Sequence, residues 1–321
     1  MRLIVHDLIA ELAPWFLSTA SPKEKFAKAQ RAILDPASGV AARMWSANDA
    51  PEYAAMSAAL QDGYDVVAAQ QVWGLFNPAR SMAATVWQFE QYAEAHLAKI
   101  AREAWDRCAE KRPMEMDVDL FLLPGDAANR TFMMHNLGVS AYAQVEGDRA
   151  QIRVAIWPSK HNIATFPEVI ARMYAHVASV QPLSLGAFIE RERIANEFCE
   201  SSWIDRKVRD LAAWPATLEE LASVCGVAQA AGLPVNVYGS RGTLGELAAF
   251  WSGLAPLTAE EIDYSREILR QAWQSSHPNT VAAHFYGDPV VSAHGIKGVG
   301  LPAFVGFQMA SVNPRAISAV L

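Results

Sequence analysis

The spacing of apolar positions changes period twice along the chain, and those changes outline the fold. Val86, Phe89, Ala93, Leu97, Ile100 and Ala104 recur at three- and four-residue steps, which predicts one face of a long helix. Pro113 ends it after Lys111-Arg112, because proline disfavours helical backbone in the residue before it. Upstream, Pro36, Gly39, Pro51, Gly63, Gly74 and Pro78 divide the chain into shorter helices. Trp15, Trp45, Trp73, Trp87 and Trp105 fall in this stretch at spacings that suit core positions. Residues 1–112 therefore read as a helical N-terminal region.

After Pro113 the period becomes two. Val118, Leu120 and Leu122 alternate with Asp117, Asp119 and Phe121, the mark of a strand. Residues 138–158 then read as a hairpin turning at Glu146-Gly147-Asp148, with Ile152, Val154 and Ile156 on one face and Arg153 on the other. From Phe166 the period returns to helical. Phe166, Val169, Ile170, Met173, Val177 and Val180 form a stripe that stops at Pro182. Further helices are expected over about 183–200, 217–231 and 258–274, then a glycine-rich turn and a small-residue helix in the tail. The sum is an α+β fold, mostly helical, with a small mixed sheet. Residues 113–321 form its α+β region, either as a separate domain or as one continuous domain with the first.

Composition narrows the function classes. The 321 residues are 52% hydrophobic and 19% charged, which suits a globular core and excludes general disorder. A net charge of -7 without a Lys/Arg stripe gives no reason to expect nucleic-acid binding. The basic cluster Arg206-Lys207-Val208-Arg209 is expected to be a solvated helix face. Cys108, Cys199 and Cys225 show no CxxC or zinc-finger spacing and suit buried thiols in a reducing cytoplasm. No apolar run reaches the length of a membrane span, so no membrane partner is expected.

Candidate chemistry centres on the helix after the hairpin. A helical HExxH site needs two histidines one turn apart to reach one metal, with a glutamate as general base on the metal-bound water. Here the five positions are Arg172, Met173, Tyr174, Ala175 and His176. Only the second histidine remains, with Glu192 as a natural third ligand in the next helix. A guanidinium is no zinc ligand and a thioether is no base. Other constellations are weaker. His284 and Asp288 have i, i+4 spacing interrupted by Gly287, and residues 295–300 (GIKGVG) lack the Walker ending, so a tight turn is the expected reading. His135 and His161 flank the hairpin.

Over residues 114–200, and more weakly over 280–312, the chain resembles the bacterial predicted Zn-dependent protease family. The segments MDVDLFLLP and HNLGVSAYAQVEGDRAQIRVAIWPSKHN are similar to that family's two sheet segments. IARMYAHV stands where its AHEYHH-type helix lies. IERERIANEF is similar to its glutamate-bearing helix, with Glu192 at the glutamate and Arg193 where glycine is usual. LPAFVGFQ is similar to its C-terminal element, with Phe304 and Phe307 at aromatic positions. The resemblance implies a gluzincin-like scaffold with a zincin-like active-site helix and, for ordinary members, zinc proteolysis. The changes at the metal and base positions turn the expectation to a non-peptidase binding or regulatory protein without a cofactor. Residual zinc would rest on His176 and Glu192, the two remaining ligand types. The alternative is a remodelled enzyme, with His176 as acid/base, Arg172 holding a small anionic substrate, Glu192 orienting the histidine and Tyr174 nearby. The partner classes are an extended peptide, added to the open sheet edge, or a small anionic ligand. An Arg172–Glu192 salt bridge in place of the metal is one geometry the spacing allows.

Overall fold

A computed structural model describes residues 2–25, 27–28, 82–126, 131–179, 184–230, 250–292 and 295–311. The short helices expected between residues 36 and 78, with Trp45 and Trp73, lie outside the described residues, as do Val180, Pro182 and the tail beyond residue 311. The architecture is α+β, mostly helical, with a four-stranded mixed sheet. The chain divides into two compact units. The first holds residues 1–169 and 213–239, and the second holds 170–212 and 240–321.

The first unit contains the sheet. β1 (Leu3–Asp7), β2 (Asp117–Pro124), β3 (Val139–Glu146) and β4 (Arg149–Ile156) lie in the order β1-β2-β4-β3. β1 and β2 are parallel, as are β2 and β4, and β3 returns antiparallel to β4. The hairpin turns at Gly147-Asp148, where Gly147 has φ +61, a backbone that glycine adopts without cost. β1 departs from the helical reading of residues 1–112. Its five residues carry no alternation strong enough to stand out, and the strand is defined by its partner β2. That pairing also explains Asp119. It is buried on the second face of β2, and its carboxylate accepts from His6 Nε2 at 2.8 Å and Arg149 Nη2 at 2.8 Å. The His6 ring stacks on Phe121 with centroids 4.4 Å apart.

Helices pack on this sheet. α1 (Leu8–Phe16) buries Leu8, Leu12 and Phe16, and Phe16 stacks on Phe89 of α2 (Met82–Ala95). The long helix read from residue 86 is broken. α2 ends at Ala95, His96 sits in the left-handed region at φ 51, and α3 runs from Leu97 to Lys111. The apolar stripe continues across the break, so its period alone could not reveal it. Tyr92 is buried between layers. Its hydroxyl meets the Ile156 carbonyl and accepts from the Gly125 N–H, and burial pushes its pKa up.

The second unit is helical. Its elements are the later part of α4 (Lys160–Val177), α5 (Leu185–Cys199), the first part of α6 (Trp203–Ala230), α7 (Ala259–Ala272), α8 (Pro278–Tyr286), α9 (Asp288–Ser292) and α10 (Val305–Met309). α5 starts at an N-cap Ser184 and α7 at a Thr258/Glu261 capping box, each satisfying amide groups that a helix end leaves open. An aromatic cluster forms the core here. Trp203 stacks on Phe307 at 3.9 Å, and Trp251 stacks on Phe304 at 5.2 Å. The turn at residues 295–300 is an internal anion cradle. The N–H groups of Val299, Gly300 and Leu301 all donate to the Asp288 carboxylate, so the turn closes on a side chain of the chain itself.

Gly287 caps α8 at φ +77, and a Cβ there would lie 1.8 Å from the Pro302 carbonyl oxygen. Gly287→Ala therefore combines a left-handed penalty with a backbone clash. It is expected to destabilise the protein by roughly 3 kcal/mol or more, measured as a lower midpoint in urea denaturation.

Candidate functional site

The site is built from the stripe of α4 and the buried face of α5. Phe166, Val169, Ile170, Met173 and Val177 are all buried, so the predicted stripe is the core-facing side of α4. Arg172 and His176 are one turn apart and share a face beside that stripe. On α5 the buried positions are Leu185, Gly186, Ile189, Glu192 and Ala195. Glu192 thus occupies an interior position of an otherwise apolar face, and it can remain charged there only if it is paired.

It is paired twice. Arg172 Nη1 donates to Glu192 Oε2 at 2.9 Å, and His176 Nε2 lies 3.0 Å from Glu192 Oε1. The His176 contact is short but not well aligned for a hydrogen bond, so it is the weaker of the two. The side chains of Arg172, Glu192 and His176 are 5%, 6% and 8% exposed. Arg172 Nη2 donates onward to Asn196 Oδ1 at 2.9 Å and to the Ser201 carbonyl at 3.0 Å. Asn196 Oδ1 also accepts from the Trp203 N–H, while its Nδ2 donates to the Ala310 carbonyl and to Ser311 Oγ. One buried network therefore ties α4, α5, the start of α6 and the end of α10.

Electrostatics follow from this geometry. Burial opposes the charge on Glu192, but His176, Arg172 and Arg191 outweigh it and hold the carboxyl down at about 2. Burial is also the largest influence on His176 and pushes its imidazole below its ordinary value; Glu192 opposes this, and Arg191 and Arg172 reinforce it. At neutral pH the cluster is an ion pair, Arg172 with Glu192, beside a neutral histidine.

Three of the four expected site residues come together, and Tyr174 does not join them. It is fully buried and stacks on Phe198 at 5.6 Å, two positions from Arg172 and so on a different helix face. The donor set does not suit zinc. It offers one imidazole and one carboxylate, and the carboxylate is engaged by a guanidinium. Among the described residues, no group of three His, Cys, Asp or Glu side chains could hold a metal ion. Arg172 is also not presented as an anion site, because its buried guanidinium is directed at Glu192, Asn196 and Ser201. His135 and His161 belong to the first unit.

Sequence reading missed Asn196, although its i, i+4 spacing from Glu192 places it on the same face. It also placed Arg206 and Lys207 in solvent, whereas both are buried. Asp210 provides the reason, with Lys207 Nζ at 3.2 Å and Arg206 Nε at 3.6 Å from its carboxylate. Burial, then repulsion from Arg206, lowers the Lys207 pKa to about 8, and its ammonium lies 5.8 Å from the Trp203 ring centroid.

Comparison with known proteins adds little. No family model and no solved structure matches the chain. It is similar to the uncharacterized protein YjfC of Bacillus subtilis (strain 168), with 19% identity over 277 residues, spanning 83% of this chain and 76% of that protein. Among the described residues no helix is long and apolar enough to cross a membrane.

Two outcomes follow from the cluster. Arg172→Met leaves Glu192 buried without its guanidinium and is expected to cost about 3–5 kcal/mol, while the Arg172→Met/Glu192→Leu double variant recovers most of it, both read from urea denaturation. Acid should destabilise in two steps. The unfolded chain protonates His176 below about 6.5 while the folded chain resists, so stability falls as pH drops through that value. The contribution of Glu192 is present above about 4.5 and is lost as pH falls towards about 2. Melting temperature against pH checks both, and His176→Asn is expected to remove the first step alone.

Proposed function

We propose that this chain is a non-peptidase binding or regulatory protein on a zincin-like scaffold, in which an ion pair has replaced the metal as the link between two helices. The observation that carries this reading is the buried Arg172–Glu192 pair at 2.9 Å, with the second guanidinium nitrogen bonded to Asn196 and Ser201. A catalytic metal site needs an open coordination position and a base beside it. Arg172 stands in the first ligand's place, and Met173 is a buried side chain in the base's place.

The remodelled-enzyme alternative receives less support. It asks Arg172 to hold a substrate and Glu192 to orient His176, yet those two residues face each other inside the network. For a peptide partner the reading points to β3. Among the described residues it is an edge strand of the sheet, and its Tyr142 is 54% exposed, so an extended segment can add alongside it through backbone hydrogen bonds.

The test is metal content together with turnover. Protein purified without chelator is expected to carry zinc far below one ion per chain by elemental analysis and to leave casein intact. Stoichiometric zinc that disappears in His176→Ala would overturn the reading, as would hydrolysis that depends on His176.

A further inference from the structure

The sheet of the first unit holds an oriented histidine that the role proposed above leaves unused. His6 lies opposite Phe121 in the β1–β2 register, and its ring stacks on that of Phe121 with an interplanar angle of 11°. Its Nε2 is 2.8 Å from Oδ1 of Asp119, two positions back along β2. Asp119 is fixed in turn by Arg149, whose Nη2 donates to the other carboxylate oxygen at 2.8 Å. An aromatic side chain thus holds the ring by its face, and an anchored carboxylate holds it by one nitrogen.

This arrangement decides where the reactive lone pair lies. A carboxylate only accepts, so the hydrogen of the contact sits on Nε2, and the lone pair of the neutral ring falls to Nδ1. Among the described residues Nδ1 has no hydrogen-bond partner, and it is not buried. The His6 side chain is 19% exposed, so Nδ1 faces solvent. His176 also meets a carboxylate, but in the interior. His277 is exposed, and among the described residues no acid orients its ring.

An imidazole bound to a carboxylate at one nitrogen is a better nucleophile at the other, because the carboxylate stabilises the positive charge that the ring gains on attack. A phosphoryl group suits these surroundings. Its oxygens only accept, and Arg149, with 60% of its side chain exposed, keeps guanidinium donors in solvent beside Asp119. No pocket is required, since the accepting atom is itself at the surface.

We propose that His6 is a phosphoryl-accepting residue, modified at Nδ1 by a small acyl phosphate, with Asp119 orienting the ring and Arg149 holding the phosphoryl oxygens. Nδ1 attacks phosphorus and the N–P bond forms. The P–O bond to the acyl group breaks, and its electron pair leaves on the carboxylate product. Nε2 keeps its hydrogen, and Asp119 faces the charge on the ring. The modification goes beyond the binding or regulatory role and does not depend on the Arg172–Glu192 pair.

The test is incubation of the full chain with acetyl phosphate, followed by peptide mass mapping in alkali, which preserves the N–P bond. Phosphate is expected on His6 at an initial rate at least about tenfold that on His277. Asp119→Asn should slow the reaction at His6 at least about tenfold and leave His277 unchanged. Arg149→Met should slow it about tenfold without moving the melting temperature, because that side chain is largely in solvent; this variant reads the chemistry apart from the fold. A purely structural His6–Asp119 contact predicts the opposite pattern: a lower melting temperature in Asp119→Asn, and like rates on His6 and His277. No phosphate on His6, a rate no higher than that on His277, or a rate at His6 indifferent to both variants would overturn the assignment. Zinc in the purified protein would overturn the non-peptidase reading and leave this mapping readable on its own.

Discussion

Glu192 is a carboxylate on the apolar face of a helix, and the arrangement of the helical unit follows from the need to keep it charged there. An isolated carboxylate in that position would take up a proton or force the helices apart. Arg172 removes the problem by bringing a permanent cation to 2.9 Å. The guanidinium then has donors left over, and they fix Asn196 and the Ser201 carbonyl. Through Asn196 the constraint reaches Trp203 and the end of the last helix. A buried pair of this kind is weak evidence of net stabilisation, since desolvation offsets much of the attraction. Its effect is geometric, since Arg172 holds Glu192, Asn196 and the Ser201 carbonyl at fixed distances.

The second unit uses the same solution twice more. Asp210 holds two cations that would otherwise be costly to bury, and Asp288 collects three turn amides into one carboxylate. Asp210 does so within one helix, α6, whereas Asp288 settles the geometry of a turn that has little regular structure to do so. The glycine-rich turn is a good example. Gly298 is needed because the backbone closes around Asp288, where its Cβ would lie 2.3 Å from the carboxyl carbon, while Gly295 and Gly300 take positive φ.

Much of the sheet and the helix after it was legible in the sequence, because period two and period 3.6 are strong signals when the apolar positions face one core. Val118, Leu120 and Leu122 announced β2, and Phe166 to Val177 announced α4. β1 was not legible, since five residues define a strand only through a partner more than a hundred positions away. The break at His96 was hidden for the opposite reason: the stripe on either side stays in phase. Arg172, Glu192 and His176 could be named from their spacing. Arg206 and Lys207 could not be placed inside, because a basic pair on a helix looks solvated until the acid one turn on is seen to turn inward with them.

The pairing of β1 has a consequence for how the chain folds. His6 and Asp119 are separated by 113 positions, and among the described residues β1 has no ladder partner until β2 has been made. During synthesis the first strand must therefore wait, unpaired, while more than a hundred residues follow it from the ribosome. Closing so long a loop comes late and slowly, since its entropy is lost before the contact is gained. The sheet is thus completed from its β3 side across to β1: the β3–β4 hairpin can form locally at once, and β1 is the last of the four strands to be seated.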